Sequence, residues 1–346
     1  MGLYTCVRRA AESMAYPVFD LHCDTADRLS WQSLPEDLKA TLGSDAYAPG
    51  DEEHLDEIRD IKANRGHLSL ERVGSTPWVQ CFACYIPDAL SPQDSVRFYE
   101  HVSANLDEQA GRHAEAFSLV ASAQDIPEQP EAGRLLGVRT IENARLFAAD
   151  LAHIDALRRA GVLMASLSWN AAGPLASGHD DESAGLTDVG REALRRMEDA
   201  RMVLDVSHLN DRCFDEVARL ATRPFVASHS NSRAVCGHPR NLTDAQFCEI
   251  RDRGGIVGLN YADIFISSEG VPTFDDLSRH IDRWLELGGE RTVALGSDFD
   301  GCDTPPCIAA ADDMPHFQKQ LVARFGADVT RKLCFDNARA FFARWS

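Results

Sequence analysis

What most constrains this chain is an alternation: eight short apolar runs recur along it, separated by segments of helical or loop character. They are Val18–Leu21, Trp78–Ile86, Leu135–Ile141, Val162–Leu167, Met202–Val206, Phe225–Ala227, Gly255–Leu259 and Thr292–Leu295. Amphipathic stretches such as Asp188–Arg201 and Thr243–Arg253 lie between them. In the second, Thr243 and Gln246 have capping-box spacing and Gly254 stops the helix. Near-continuous apolar strands alternating with helices predict a parallel sheet covered on both faces. Eight such units in 346 residues predict an α/β fold of the (β/α)8 TIM-barrel type. A doubly wound open sheet is the alternative, but no GxGxxG follows any run, so a dinucleotide site has no support.

The simplest organisation is a single barrel domain over residues 1–346, with a long loop and helical insertion after the first strand, about 26–77. That insertion carries a polar, acidic stretch, Ser44–Glu57, followed by a helix. Asp88–Arg134 reads as mostly helical. Asn170–Thr187, rich in Gly, Ala, Ser and Asp, reads as a mobile loop over the barrel mouth. Ala327–Trp345 reads as a closing amphipathic helix with Phe335, Ala338 and Phe342 at helical spacing.

Composition removes several function classes. With 54 acidic against 35 basic residues, the net charge of −19 repels phosphate backbones and argues against nucleic-acid binding. No run of eighteen apolar residues exists, which argues against a membrane span, and the N-terminus lacks a signal-peptide core. Ten scattered cysteines fit reduced thiols, and a cytoplasmic location is expected. Cys81 and Cys84 would face opposite sides of one strand, so they read as core residues.

Barrel active sites form at the C-terminal ends of the strands. There the first run ends in His22 and Asp24, two positions apart and hence on one face. The third ends in Glu142, the fifth in His208, the sixth in His229 and the eighth in Asp298. Any one of these has a bland reading, since Asp and His often cap the helix after a strand. All six at one edge point to a metal site. Three imidazoles and several carboxylates exceed what one tetrahedral zinc needs, and two metals bridged by a carboxylate would use them. Lys39, Lys62, Lys319 and Lys332 all lie away from strand ends, so Glu142 is the best-placed bridge. A water shared by two such metals becomes hydroxide near neutral pH and attacks a carbonyl. Asp298 could then move a proton to the leaving amine, or only hydrogen-bond a ligand histidine.

HCD in the first strand, IEN in the third, DVSHLN, ASHSNSRAVCGHPRN and GSDFDG together resemble the membrane (renal-type) dipeptidase family, zinc peptidases of the amidohydrolase superfamily. The likeness runs from about Pro17 to the closing helix. It implies one zinc on His22, Asp24 and Glu142 and another on Glu142, His208 and His229, with Asp298 as acid/base. It also implies that Arg240 engages substrate and stabilises the developing oxyanion, a task suited to a permanently charged guanidinium. The alternative for Arg240 is an ordinary surface ion pair.

One position departs from the family. Where the animal enzymes end the fourth strand in a substrate-contacting histidine, this chain has Trp169, which offers an N–H donor but cannot transfer a proton. Core packing and substrate contact are both open to it. The histidines His179, His238, His101, His113, His153 and His280 read as solvated.

The expectation is a binuclear zinc dipeptidase that accepts dipeptides, including those with a C-terminal D-residue; the resemblance leaves a homodimer open. Its rivals are an N-acyl amino acid deacylase or lactonase, a non-catalytic metal- or ligand-binding protein, and a phosphoesterase on the same metals.

Overall fold

The computed structural model describes residues 16–43 and 58–345, so the acidic stretch Ser44–Glu57 and the extreme N-terminus lie outside the described residues. The described residues form eight strands: β1 (Val18–Cys23), β2 (Trp78–Tyr85), β3 (Phe117–Leu119), β4 (Leu135–Glu142), β5 (Val162–Ser166), β6 (Val203–Asp205), β7 (Val257–Leu259) and β8 (Val293–Leu295). All pair in parallel, in the order β6-β5-β4-β2-β1-β8-β7, with β3 against the start of β4. The run 225–227 makes only single bridges, Asp205 to Val226 and Ala227 to Val257, and through them it joins β6 to β7. The ring of eight staves is thereby closed, a (β/α)8 TIM-barrel-like fold. β3 is an addition inside a region read as helical, where only Pro92–Arg112 forms a long helix.

Two apolar clusters hold the barrel. The inner one gathers Phe19, Leu21, Val79, Cys81 and Val138 from the strands with Phe335, Phe341 and Phe342 from the C-terminal segment. Phe19 stacks on Phe342 with ring centres 5.3 Å apart, so the closing helices plug the end of the barrel away from the strand C-termini. The outer cluster packs the helices on the strands and contains Cys84, so Cys81 and Cys84 do face opposite sides. The pairing of β1 with β2 slips between Asp20 and Cys23. That bulge lets Phe19 and Leu21 join the inner core while His22 and Asp24, of opposite parity, both reach the site.

Helix signals in the sequence act as expected. Thr243 accepts from Gln246 N–H and Gln246 returns the bond, capping Asp244–Asp252, and Gly254 takes φ +76° beyond its end. After the undescribed stretch, residues 58–69 run without a helix and only Leu70–Val73 is helical.

Candidate active site

Six side chains converge at the C-terminal edge of the strands. His22 Nε2 lies 3.4 Å from Asp24 Oδ2, 3.3 Å from Glu142 Oε2 and 3.9 Å from Asp298 Oδ1. His208 Nε2 is 2.8 Å from Glu142 Oε1 and 2.9 Å from His229 Nε2, and the His22 and His229 rings stack at 3.7 Å. All six are buried. The local backbone is unusual: His208 and Asp298 take φ of +71° and +62°, and Asn143, directly after Glu142, takes +59°. Left-handed backbone at non-glycine residues costs energy and clusters at functional sites.

Partners behind the imidazoles fix which nitrogen faces forward. Asn170 Oδ1 stands 2.8 Å from His208 Nδ1 and accepts its proton. Ser228 Oγ donates to Asp205, so it must accept from His229 Nδ1 at 2.7 Å. Asp205 also accepts from Ser207 N–H and Ser228 N–H, which holds its carboxylate in place. Both Nε2 atoms are therefore bare lone pairs, and they point at each other across 2.9 Å. Two such lone pairs repel unless a cation lies at hand. His22 Nε2 and Asp24 Oδ1 are likewise buried without a hydrogen bond.

The site's polarity follows from this crowding. Burial opposes charge on Glu142, yet the imidazoles of His208 and His22 outweigh it and hold its carboxyl far below the usual range. Burial pushes Asp24 up to about 7, and burial likewise raises Asp298. Burial and the Arg240 charge push His208 down to about 3, which keeps it a neutral ligand-competent ring.

These donors fit a metal. Ligand atoms of His22, Glu142 and His229 lie within 4.8 Å of one another, and so do those of His22, Asp24 and Asp298. Imidazoles with carboxylates suit zinc, and the tautomer-fixing partners of His208 and His229 are what metal histidines ordinarily have. Gly301 completes the cradle, since a Cβ there would come 2.0 Å from Asp24 Oδ2.

A cavity of about 550 Å³ opens over the cluster, walled by Tyr85, Trp169, Ala262 and Phe265 and reaching Glu142, His208 and Asp298. Trp169 is half-buried and meets Tyr85 edge-on at 5.0 Å, so it faces the cavity instead of the core. A second hollow, of about 530 Å³, lies at the other end of the strands around Arg251, Arg291 and Arg344 and holds none of these groups. Arg240 is not on the surface: it is buried, and it donates to Ser230 Oγ at 2.8 Å.

Several residues escaped the sequence reading: Asn170, Asp205, Ser228 and Asn260, whose amide donates to Asp298 Oδ2 at 3.0 Å. The only signal was a charged residue, Asp205, inside an apolar run. Two histidines read as solvated are not. His280 is fully buried, accepting from Ser232 N–H and donating to Ile266 C=O. His179 is nine-tenths buried, because its loop is pinned by bridges from Ala172 to Ser177 and from Gly178 to Leu209. The loop looked mobile from composition alone; Asn210 Nδ2 also ties it down through Asp181 and Ala184 carbonyls.

A parallel barrel that gathers imidazoles, carboxylates and a buried guanidinium at its strand ends defines the class of metal-dependent hydrolases. Residues 8–342 match the family Membrane dipeptidase (Peptidase family M19). The chain belongs to that family and is a metallopeptidase acting on peptide bonds. An uncharacterized protein in the pqqA 5′ region of Klebsiella pneumoniae is 35% identical over 243 residues, covering 67% of this chain and 90% of its own length. Among solved structures, a metallo peptidase from Rhodobacter sphaeroides, liganded with a phosphinate mimic of the dipeptide L-Ala-D-Ala, is similar at a TM-score of 0.79 and 27% identity, covering 96% of this chain and all of that one (100%). A family M19 dipeptidase is similar at 0.79 and 28%, covering 95% of this chain and 98% of its own.

Proposed function

We propose that this protein is a binuclear zinc dipeptidase whose substrates include dipeptides with a C-terminal D-residue. The observation that carries the reading is the pair of bare Nε2 atoms of His208 and His229, set against each other and Glu142 by Asn170 and Ser228. His22, Asp24 and Glu142 would hold one zinc, and Glu142, His208 and His229 the other, with Glu142 common to both. Bound there, the metals would polarise the scissile carbonyl and generate a nucleophile from water near neutral pH.

The chain's own groups do the rest. Asp298 is held through Oδ2 by Asn260, which leaves Oδ1 facing the site. Its raised affinity for a proton suits a group that takes one from water and passes it to the leaving amine. Arg240, buried and charged, would stabilise negative charge developing on the substrate. Trp169, Tyr85 and Phe265 form an apolar wall for a substrate side chain. The D-residue rests on the Rhodobacter sphaeroides relative, which was solved with an L-Ala-D-Ala mimic.

Protein stripped of metal and restored with zinc should release free amino acids from L-L and L-D dipeptides, with about two zincs per chain. Glu142→Gln should abolish that release. Cleavage confined to N-acetylated dipeptides would instead establish a deacylase.

A further inference from the structure

The loop after β8 carries two aspartates in left-handed backbone, Asp298 at φ +62° and Asp300 at φ +66°. Such backbone at non-glycine residues persists only where the surroundings over-determine it. The end of β1 and the residues after it hold the loop from one side. Asp298 N–H donates to His22 C=O at 3.2 Å, and Asp24 N–H donates to Phe299 C=O at 2.8 Å. Thr25 Oγ1 donates to Asp300 Oδ2, and Arg28 Nε donates to Asp300 C=O at 2.8 Å.

The hold from the other side comes from outside the barrel ring, from the segment 58–69 between β1 and β2. His67 N–H donates to Asp300 Oδ1 at 2.6 Å, and His67 Nδ1 accepts from Asp300 N–H at 3.0 Å. The peptide group joining Phe299 to Asp300 is thereby held at both ends, its C=O by Asp24 and its N–H by His67. The segment is itself anchored. Ile61 N–H donates to Gln109 Oε1 at 3.0 Å, Leu70 N–H to Ile61 C=O at 2.8 Å, and Ala311 N–H to His67 C=O at 2.9 Å. Its approach is close because residue 66 is glycine: a Cβ there would stand 2.6 Å from Asp300 Oδ1.

We infer that His67 is a positioning residue for proton transfer: by fixing the Phe299–Asp300 peptide it keeps the left-handed turn that aims Asp298 Oδ1 at the metal-ligating cluster. This rests on the dipeptidase reading, with Asp298 as its acid/base. His67 is not part of the cavity wall, so it acts through Asp300 and not on substrate. Without the ring, the N–H of buried Asp300 loses its acceptor, and the peptide gains by turning to find another. Asp298 lies one residue from that peptide and would turn with it. The segment after β1 thus has a task in the chemistry although it supplies no metal ligand among the described residues.

The test compares zinc-loaded wild type with His67→Leu, His67→Asn and Gly66→Ala. Amino-acid release from L-Ala-D-Ala gives kcat and KM, metal analysis gives zinc content, and a melting curve reports folding. Leu should lower kcat by about ten- to a hundredfold, the range for a catalytic group displaced by up to about an ångström, with KM within about threefold. Zinc content should stay at the wild-type level. Asn, whose Oδ1 can accept in place of Nδ1, should recover most of the loss. Gly66→Ala pushes on Asp300 Oδ1 with the ring intact and should lower kcat in the same way; it decides the matter if Leu does not fold. Wild-type kcat in the Leu or the Ala variant, equal impairment of Leu and Asn, or a loss of zinc that accounts for the lost turnover would overturn the assignment. A wild type that cleaves no dipeptide would sink the dipeptidase reading instead, and this inference with it.

Discussion

Replacing Gly301 by alanine separates the metal site from the fold. A Cβ at this position would stand 2.0 Å from Asp24 Oδ2 and 2.7 Å from Asp298 Oδ1, where ordinary contact begins at 3.4 Å. The Asp24 oxygen must therefore retreat by about 3.4 − 2.0 = 1.4 Å. Metal–ligand distances tolerate roughly 0.2 Å, so Asp24 cannot stay a ligand where it is. What moves is the tip of a side chain and not backbone, so the overpacking cost should be about 1–3 kcal/mol. At about 2–4 °C per kcal/mol for a chain of this order of size, melting of the metal-free protein should fall by no more than about 12 °C. Zinc affinity should fall by at least about ten- to a hundredfold, the usual effect of losing even a supporting partner. A chelator competition titration with a melting curve reads both quantities. Two zincs bound at wild-type affinity with unchanged turnover would refute the ligand role of Asp24. A collapse in melting temperature would refute the claim that only the site is disturbed.

Asp205→Asn should lower zinc affinity about tenfold or more, because Ser228 is then free to present its proton to His229; chelator competition measures it. Asp298→Asn should cut kcat by about 10²–10⁴ while zinc remains bound, read by turnover beside metal analysis. Trp169→Ala should raise KM for dipeptides with apolar side chains by about tenfold and leave zinc content alone, since the indole walls the cavity against Tyr85 and its ring centre lies 6.3 Å from that of His208. His280 gives a pH signature away from the metals. Burial holds it down at about 4 in the folded chain, against about 6.5 unfolded, so its contribution is full above 6.5 and is lost as pH falls through 4. That contribution is at most about 3 kcal/mol. Urea unfolding of His280→Asn should therefore decline less steeply between pH 6.5 and 4 than wild type.

Much of this could be read from the chain because strand ends are marked twice, by the end of an apolar run and by the polar residue that follows. His22, Glu142, His208, His229 and Asp298 each sit at such a junction, and a barrel brings junctions together whatever the loops do. The supporting residues carry no such mark. Ser228 and Asn170 are ordinary loop polar residues whose roles depend on which histidine lies behind them in space. The β1 bulge is invisible too, since period-two reasoning places Phe19 and His22 on opposite faces. His280 is a different failure, because the signal was there. Leu277, Ile281 and Trp284 mark the buried stripe of the helix Phe274–Glu286, and His280 lies within it. His179 was misjudged from composition, where Gly and Ala read as mobility. In the fold, glycine at 178 serves close approach instead, since a Cβ there would lie 1.8 Å from Trp169 O.

The deeper regularity is that the metal-free site is arranged against itself. Asn170 and the Asp205–Ser228 pair contribute hydrogen bonds, yet their effect is to force two imidazole lone pairs together at 2.9 Å. Asp24, Glu142 and Asp298 are crowded as like charges where burial already disfavours ionisation, and Arg240 is desolvated without a counter-ion. None of this helps the chain fold. Each conflict has a different resolution: cations between the imidazoles and carboxylates, an anion on Arg240. The electrostatic demand thus divides the pocket into a place for cations and, at Arg240, a place for negative charge on a substrate.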